Sequence, residues 1–503
     1  METELKLTLH RADSERMRSH PMLAAHAVAD PTEHEHTDVY YDTPEHELWR
    51  HGATLRVRSA GDSFVQTVKT VDRHGTALHR RGEWEGRLAD SQVQPAQLAR
   101  QIKDAKLAQL LSSKTLTQRL VPMFSGTTRR TTWQLRLSGG EEVECAIDTS
   151  DFRGGARHTS ISELELELKA GAPERLFDFA LALHREIPFE LANDSKAARG
   201  YALLGSAGPA AVKARPIKLR RKAAMEHAFQ AICLNCLEQM EANIAGVLAK
   251  DVESLHQMRV GLRRLRALLD MFEPLIQVPQ DIGEGLDWLA GELGATRDWD
   301  VLASSTLDRI KGSDMPALRD SARAKAAKLH SVMAQTLHAP RFTELMLKLN
   351  SWMRGHEWRD HATPAGRAAM GKRALRSAMP LLRKAEKRLR KRIAALAPQD
   401  APALHRVRIA AKKARYGAEF FRDLLDRKRT ARYVDHLSAL QDKLGLLNDL
   451  AVAARLLPEL QHGHGQLARE AAFAHGYLSA DARSGIDQLG APLKAIAKLR
   501  MTR

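Results

Sequence analysis

The chain has 503 residues, three of them cysteine, and a formal net charge of +17. That length exceeds one ordinary core, so at least two domains are expected, and three cysteines exclude a disulfide scaffold and fit a reducing compartment. No charged-then-apolar leader and no apolar run of membrane-spanning length is visible, so a soluble, cytoplasmic protein with no membrane partner is expected.

The charge is unevenly spread. Residues 1–205 carry 27 basic and 30 acidic side chains, a balance of −3, whereas the rest carries 51 and 31, a balance of +20. Such a basic field favours a polyanionic partner: nucleic acid, anionic membrane or polyphosphate.

In chain order, the first feature is Met1-Glu2-Thr3-Glu4-Leu5-Lys6. Residues i, i+2 and i+4 of a strand share a face, so Glu2, Glu4 and Lys6 would line one surface. His34-Glu35-His36 reads as a polar loop rather than a metal site. Residues 54–58, 64–69, 132–137 and 144–148 alternate as further strands, punctuated by Gly52, Gly61, Gly75 and Gly139-Gly140. Around 97–111 and 174–184 the apolar spacing turns helical. The run Glu163-Leu164-Glu165-Leu166-Glu167-Leu168-Lys169 reads as a strand with one leucine face and one acidic face. Its like charges repel unless a cation or basic ligand sits between them. Glu163, near the strand end, reads as facing solvent. Many antiparallel strands with polar inward faces predict a closed or nearly closed barrel, since closure removes exposed edges.

Residues 204–215 read as a linker, and from 216 onward the texture turns to long Ala/Leu/Arg/Lys/Glu segments of helical period. Within them Cys233-Leu234-Asn235-Cys236 lacks a second pair and reads as packing. An internal repeat is visible. Leu255-His256-Gln257-Met258-Arg259-Val260 is echoed by Leu404-His405-Arg406-Val407-Arg408-Ile409. After each histidine, basic residues fall at +3, +7, +8 and +10: Arg259, Arg263, Arg264 and Arg266, then Arg408, Lys412, Lys413 and Arg415. Leu293-Gly294-Ala295-Thr296-Arg297-Asp298 is echoed by Leu444-Gly445-Leu446-Leu447-Asn448-Asp449, and the two offsets, 149 and 151, nearly agree. Each half, about 216–360 and 365–503, thus presents a basic stripe roughly 15 Å long at ~1.5 Å per residue. Two facing stripes would make a polyanion cleft. His256 and His405 either touch phosphate or orient neighbouring arginines. The run 383–392 reads as an exposed helix face that could extend the polyanion surface.

These residues carry a family resemblance. Residues 1–203 resemble a CYTH domain, the triphosphate tunnel fold, through Glu2-x-Glu4-x-Lys6, Tyr40-Tyr41-Asp42-Thr43, Leu55-Arg56-Val57-Arg58, Gln66-Thr67-Val68-Lys69, Arg81-x-Glu83-Trp84-Glu85, Asp148, the acidic strand and Ser195-Lys196-x-x-x-Gly200-Tyr201. Residues 216–503 resemble a CHAD domain, the conserved-histidine α-helical domain, through both histidine-led helices. The resemblance implies an α+β architecture: a closed eight-stranded antiparallel β-tunnel with helices, then an all-α domain of two repeated helical-bundle halves. It implies metal-dependent hydrolysis of inorganic triphosphate in the tunnel and binding of inorganic polyphosphate by the helical domain, with association to polyphosphate granules.

Phosphoanhydride hydrolysis needs charge neutralised on the transferring and leaving phosphates and a positioned water. Mg²⁺ or Mn²⁺, two per tunnel, would take oxygen ligands. Glu2, Glu4, Asp148, Glu165 and Glu167 are the candidates, with Glu163 and Glu83 behind them. Lys6, Arg56, Arg58, Lys69, Arg81 and Lys196 would cradle phosphate, with Arg130 and Arg136 further out. Two other readings compete: a polyphosphate-binding protein with a vestigial tunnel, and a nucleotide-acting enzyme such as an adenylyl cyclase or thiamine triphosphatase. A nucleic-acid backbone would satisfy the same basic stripes, although scarce aromatics argue against single-strand stacking.

Overall fold

Alternation of leucine with charge sets the N-terminal architecture. In β1 (Glu2–Leu9) the odd-numbered Leu5, Leu7 and Leu9 are buried on one face, which leaves Glu4 and Lys6 on the other. The computed structural model describes residues 2–71, 78–192, 194–205, 210–396, 400–460 and 465–501. Two compact units emerge: residues 1–212 with 241–249 and 338–355, and residues 213–240, 250–337 and 356–503.

The first unit is built on one ten-stranded antiparallel sheet. After β1 come β2 (Thr32–Asp42), β3 (Ala53–Ala60), β4 (Ser63–Thr70), β5 (Leu78–Arg81), β6 (Glu83–Leu88), β7 (Val121–Arg136), β8 (Glu142–Gly154), β9 (Arg157–Ala170) and β10 (Phe189–Leu191). The hydrogen-bonded order is β10-β1-β9-β8-β7-β2-β3-β4-β6, with β5 paired to β1. This corrects the expected closed ring of eight. The path is open, and β6 on β4 and β5 on β1 are separated by Gly82 alone. A Cβ there would lie 2.4 Å from the Trp84 ring, so the change of partner falls where the chain has no side chain.

Three local expectations are also revised. His34, Glu35 and His36 are not a loop but the start of β2, paired with Arg130, Arg129 and Thr128 of β7. The strand expected at 132–137 is the end of a 16-residue strand. The single helix expected over 97–111 is two, Pro95–Ala99 and Ala105–Leu111, because Asp104 accepts from the backbone N–H of Lys106 and Leu107 and starts a new helix. Helix Glu174–His184 forms as the periodicity predicts. Leu55 and Val68 pack under Leu98, Leu107, Leu111 and Leu116, so the short helices cover the apolar side of β3 and β4 and leave the polar side free.

The second unit is helical. The two histidine-led segments form helices Val252–Phe272 and Ala401–Phe420. Asp251 accepts from the N–H of Ser254 at 2.7 Å and Asp400 from that of Ala403 at 3.0 Å. Each cap stands five residues before its histidine, so the repeat extends to the helix starts. The second echo lies in helices Gln280–Val301 and Arg427–Leu456. Leu302, Leu307, Leu318, Leu457 and Leu478 belong to one buried core. Cys233 and Cys236 are buried in helix Met225–Glu241, and burial pushes both thiols up, in keeping with packing. Among the described residues no helix is long and apolar enough to cross a membrane.

Candidate active site and basic groove

Register alone puts the charged residues of the sheet on one face. Opposite pairs run Glu4–Glu167 and Lys6–Glu165 (β1–β9), Ala146–Glu165 and Asp148–Glu163 (β8–β9), Arg130–Asp148 (β7–β8), Asp38–Arg58 and Tyr40–Arg56 (β2–β3), Thr54–Lys69 (β3–β4) and Lys69–Glu83 (β4–β6). Opposite residues point the same way, so one parity holds across the whole path. This face encloses a cavity of about 580 Å³. Of the expected residues, Glu4, Lys6, Arg56, Arg58, Lys69, Glu165, Glu167 and Lys196 line it, and so do Glu83 and Arg130. Asp148 stands behind them, bonded to Arg130 and Lys196. The side chains of Glu2 and Arg81 lie outside the described residues, although their backbones pair between β1 and β5. Arg136 shares the parity but sits at an exposed strand end beside Glu142.

The cavity has two chemically distinct walls. On the β1–β9–β8 wall, carboxylates surround two ammonium groups. Lys6 Nζ lies 2.5 Å from Glu165 Oε1 and also pairs with Glu4. Lys196, from helix Lys196–Leu203, reaches Asp148 Oδ2 at 2.6 Å, Glu165 Oε1 at 2.7 Å and Glu163 Oε2 at 3.0 Å. Arg130 forks onto both Asp148 oxygens at 2.7 and 2.6 Å and reaches Glu165 Oε2 at 2.5 Å. Glu163 is fully buried, correcting the solvent-facing expectation: its register with Asp148 carries it inward toward Lys196.

Electrostatics keep this wall ionised. Burial would depress the Lys196 ammonium, yet Asp148, Glu165 and Glu163 hold it well above its ordinary value. Lys6 is raised too, with Glu165 and Glu4 overcoming burial. Burial opposes ionisation of Glu165, but Lys196, Lys6 and Arg130 hold its carboxyl well below the usual range, and Lys196 and Arg130 lower Asp148 likewise.

The β3–β4 wall is basic. Arg58 forks onto Asp38 at 2.8 and 3.0 Å, and Arg56 Nη1 reaches the same carboxylate at 3.2 Å. Lys69 Nζ lies 2.9 Å from Glu83. Asp38 is held low because Arg56 and Arg58 outweigh its burial. His36, 3.8 Å from Asp38, is pushed down to about 3 by burial and by Arg58, so it is neutral there. Asp38 and Glu144, a further lining residue, went unread in the sequence. The available signal was the parity of His36, Asp38 and Tyr40, hidden once 34–36 is taken as a loop.

Two motifs of the resemblance meet outside the cavity. Asp42 accepts from the N–H of Thr43, Leu48 and Trp49 and from the Tyr201 hydroxyl at 2.6 Å. A Cβ at Gly200 would lie 2.0 Å from the Phe124 ring, which fixes how closely the Lys196 helix approaches the sheet.

The donor chemistry of the acidic wall, carboxylate oxygens on one face, fits a hard divalent cation. The carboxylates are now partnered by lysine and arginine, and among the described residues no three His, Cys, Asp or Glu side chains converge as a ready-made cage.

In the helical unit, Arg259, Arg263, Arg266, Arg408, Lys412 and Lys413 line a groove of about 410 Å³. Both stripes therefore contribute to one surface. Arg264 turns away and is buried, donating to Gln239 Oε1 at 2.7 Å and Asn235 Oδ1 at 2.8 Å. Arg415 is drawn to Glu419 at 3.7 Å and over the Tyr416 ring. His256 is half-buried and lowered by burial and by Arg297, His405 is exposed, and neither lines the groove. The groove's cations discourage one another: Lys412, lowered by burial and by Arg263, Arg408 and Arg259, is pushed down to about 6.

Residues 1–201 match the model of the CYTH domain and residues 231–458 that of the CHAD domain. An inorganic triphosphatase of Haemophilus influenzae is 34% identical over 169 residues, which are 34% of this chain and 46% of that protein. The chain thus spans about half the length of this curated relative. The crystal structure of the CHAD domain from the plant Ricinus communis is 38% identical with a TM-score of 0.54, covering 59% of this chain and 99% of that one. The Hippeastrum protein HpAC1, with a dominant triphosphatase activity, aligns at 18% identity and a TM-score of 0.31 over 40% of this chain and 96% of its own.

Proposed function

This chain belongs to the CYTH and CHAD families, with one domain of each, and on that premise we propose that its tunnel hydrolyses inorganic triphosphate while its helical domain binds inorganic polyphosphate. We place the domain limits at 1–203 and 216–503, with 204–215 between them. The observation that carries the reading is the two-walled cavity: Arg56, Arg58 and Lys69 face Glu4, Glu165 and Glu167 across one enclosed space. A triphosphate is a chain of anions needing cations along its length, and its hydrolysis also needs carboxylates for a cation of its own.

Arg56 and Arg58 bind phosphate oxygens in pairs, held in aim by Asp38 behind them. Lys69, Lys6 and Lys196 act as point charges. Glu4, Glu165 and Glu167, with Glu2, would hold Mg²⁺ or Mn²⁺; Asp148, with both oxygens engaged, positions Arg130 and Lys196. When bound, a divalent cation would offset charge on the transferring phosphoryl group and polarise the attacking water. Lys6 and Lys196, now paired with carboxylates, would then be available to phosphate.

The test is phosphate release from tripolyphosphate, long-chain polyphosphate, ATP and thiamine triphosphate, with and without metal. Tripolyphosphate should be turned over best, only with metal, and Glu4→Ala should abolish it. Undiminished turnover by Glu4→Ala, or with metal chelated, would overturn the assignment.

For the helical domain, the supporting observation is that groove cations from both repeat halves converge with few acids beside them. Long-chain polyphosphate should bind with a steep salt dependence, and retention of that binding in Arg263→Glu with Arg408→Glu would remove this reading.

A further inference from the structure

Beside the groove of the helical unit lies a second, smaller cavity of about 160 Å³, and the two share Ala267, Asp270 and Lys413. The second cavity brings in a third helix, Ala374–Ala394, through Lys384 and Arg388. Asp270 stands at the junction. Its Oδ2 lies 2.6 Å from Lys413 Nζ and 4.0 Å from Arg388 Nη1. In the groove it is the one carboxylate among the lining residues, against six basic side chains; in the second cavity Glu273 joins it.

We propose that Asp270 divides the polyanion surface in two, and that chains long enough to pass it displace the carboxylate and continue onto Lys384 and Arg388. This rests on the polyphosphate reading and adds a chain-length preference to it. A short anion held by Arg259, Arg263, Arg408 and Lys412 leaves the Asp270–Lys413 pair in place. A long flexible polyphosphate does not, and in exchanging with Asp270 it gains Lys413 and Arg388 together. All these groups are at least partly exposed, so the exchange needs no rearrangement of the core.

The occupant is a linear phosphoanhydride chain rather than duplex DNA. The second cavity holds only about 160 Å³, and its three basic residues, Lys384, Arg388 and Lys413, stand beside two acids, short of the broad cationic face a duplex would need.

The test compares full-length wild type, Asp270→Asn and Lys384→Gln/Arg388→Gln, with divalent metal chelated, for binding of tripolyphosphate and long-chain polyphosphate across a salt series. The tunnel contributes equally to each protein, so differences report the helical unit. Asp270→Asn should tighten long-chain binding by about two- to fivefold, the worth of an exposed ion pair, and leave tripolyphosphate unchanged. The double variant should flatten the long-chain salt slope by about 1.4, two contacts at ~0.7 each. Equal effects on both ligands would overturn the division at Asp270 while leaving polyphosphate binding standing. Absence of long-chain binding by wild type would overturn both, and failure of long-chain polyphosphate to displace duplex DNA at matched salt would overturn the choice of partner.

Discussion

Lys196 Nζ lies 2.6 Å from Asp148 Oδ2, joining helix Lys196–Leu203 to the middle of the sheet through two buried charges. Removing one partner of a buried pair leaves the other uncompensated and typically costs about 3–5 kcal/mol. Here Lys196 and Arg130 keep Glu165 as a second partner, so Asp148→Asn should sit near ~3 kcal/mol, the low end of that range. The pH sign follows from the lowered carboxyls of Asp148 and Glu165. Their stabilisation is present above the ordinary carboxylate range and is lost as pH falls through their lowered values. Urea unfolding at neutral pH and in acid checks both: the variant should be weaker at neutral pH, and the gap should narrow in acid.

The hydroxyl of Tyr201 makes a different kind of contact. It donates to buried Asp42, which also terminates β2 by accepting three backbone N–H groups. Tyr201→Phe should cost about 1.5–3 kcal/mol, the range for a hydrogen bond to a charged group. Neither residue lines the cavity. The melting temperature should therefore fall while phosphate release, measured well below it, is retained. A specific loss of turnover with unchanged melting would put Tyr201 in the chemistry.

Much of this was legible from periodicity. Strand parity gave Glu4, Lys6, Glu165, Glu167, Arg56, Arg58 and Lys69 a common face, and register confirms it because opposite residues share a side. Parity failed where a strand was cut short, and Asp38 was lost with residues 34–36. It also failed for Glu163, because exposure at a strand end depends on what packs there, here the Lys196 helix. Helical spacing has a coarser limit. Offsets of +7 and +8 differ by about 100° around a helix of 3.6 residues per turn, so Arg263 enters the groove and Arg264 the core.

That difference separates two adjacent arginines by experiment. Arg263 lines the groove and donates from Nε to the Tyr416 hydroxyl at 2.8 Å, whereas Arg264 donates to buried Gln239 and half-buried Asn235. Arg263→Gln should weaken long-chain polyphosphate binding and reduce its salt slope by about 0.7, with stability little changed. Arg264→Gln should lower stability by about 1–3 kcal/mol through loss of its bonds to buried Gln239 and half-buried Asn235, and the surviving folded protein should bind normally. Equal loss of binding in both variants, at temperatures where both are folded, would mean that the stripe acts as a whole.

Lys412 makes the groove sensitive to pH. It faces Arg259, Arg263, Arg408 and Arg415, with Asp449 as the acid near it, and burial and those guanidiniums push it down to about 6. In the free protein it is therefore largely neutral at neutral pH, whereas the unfolded chain carries the proton. Free-protein stability should rise with pH from about 6 toward the ordinary lysine range, because the unfolded state binds more protons there. Binding runs the other way. A polyanion favours the charged ammonium, so the complex takes up a proton, and affinity should fall by up to tenfold per pH unit above about 6. Calorimetry in two buffers of different ionisation enthalpy reads the proton directly, as a buffer-dependent heat. Lys412→Met should remove both the uptake and the slope. An affinity independent of pH in wild type, with no buffer dependence, would mean that Lys412 is already charged in the free groove or never touches the ligand.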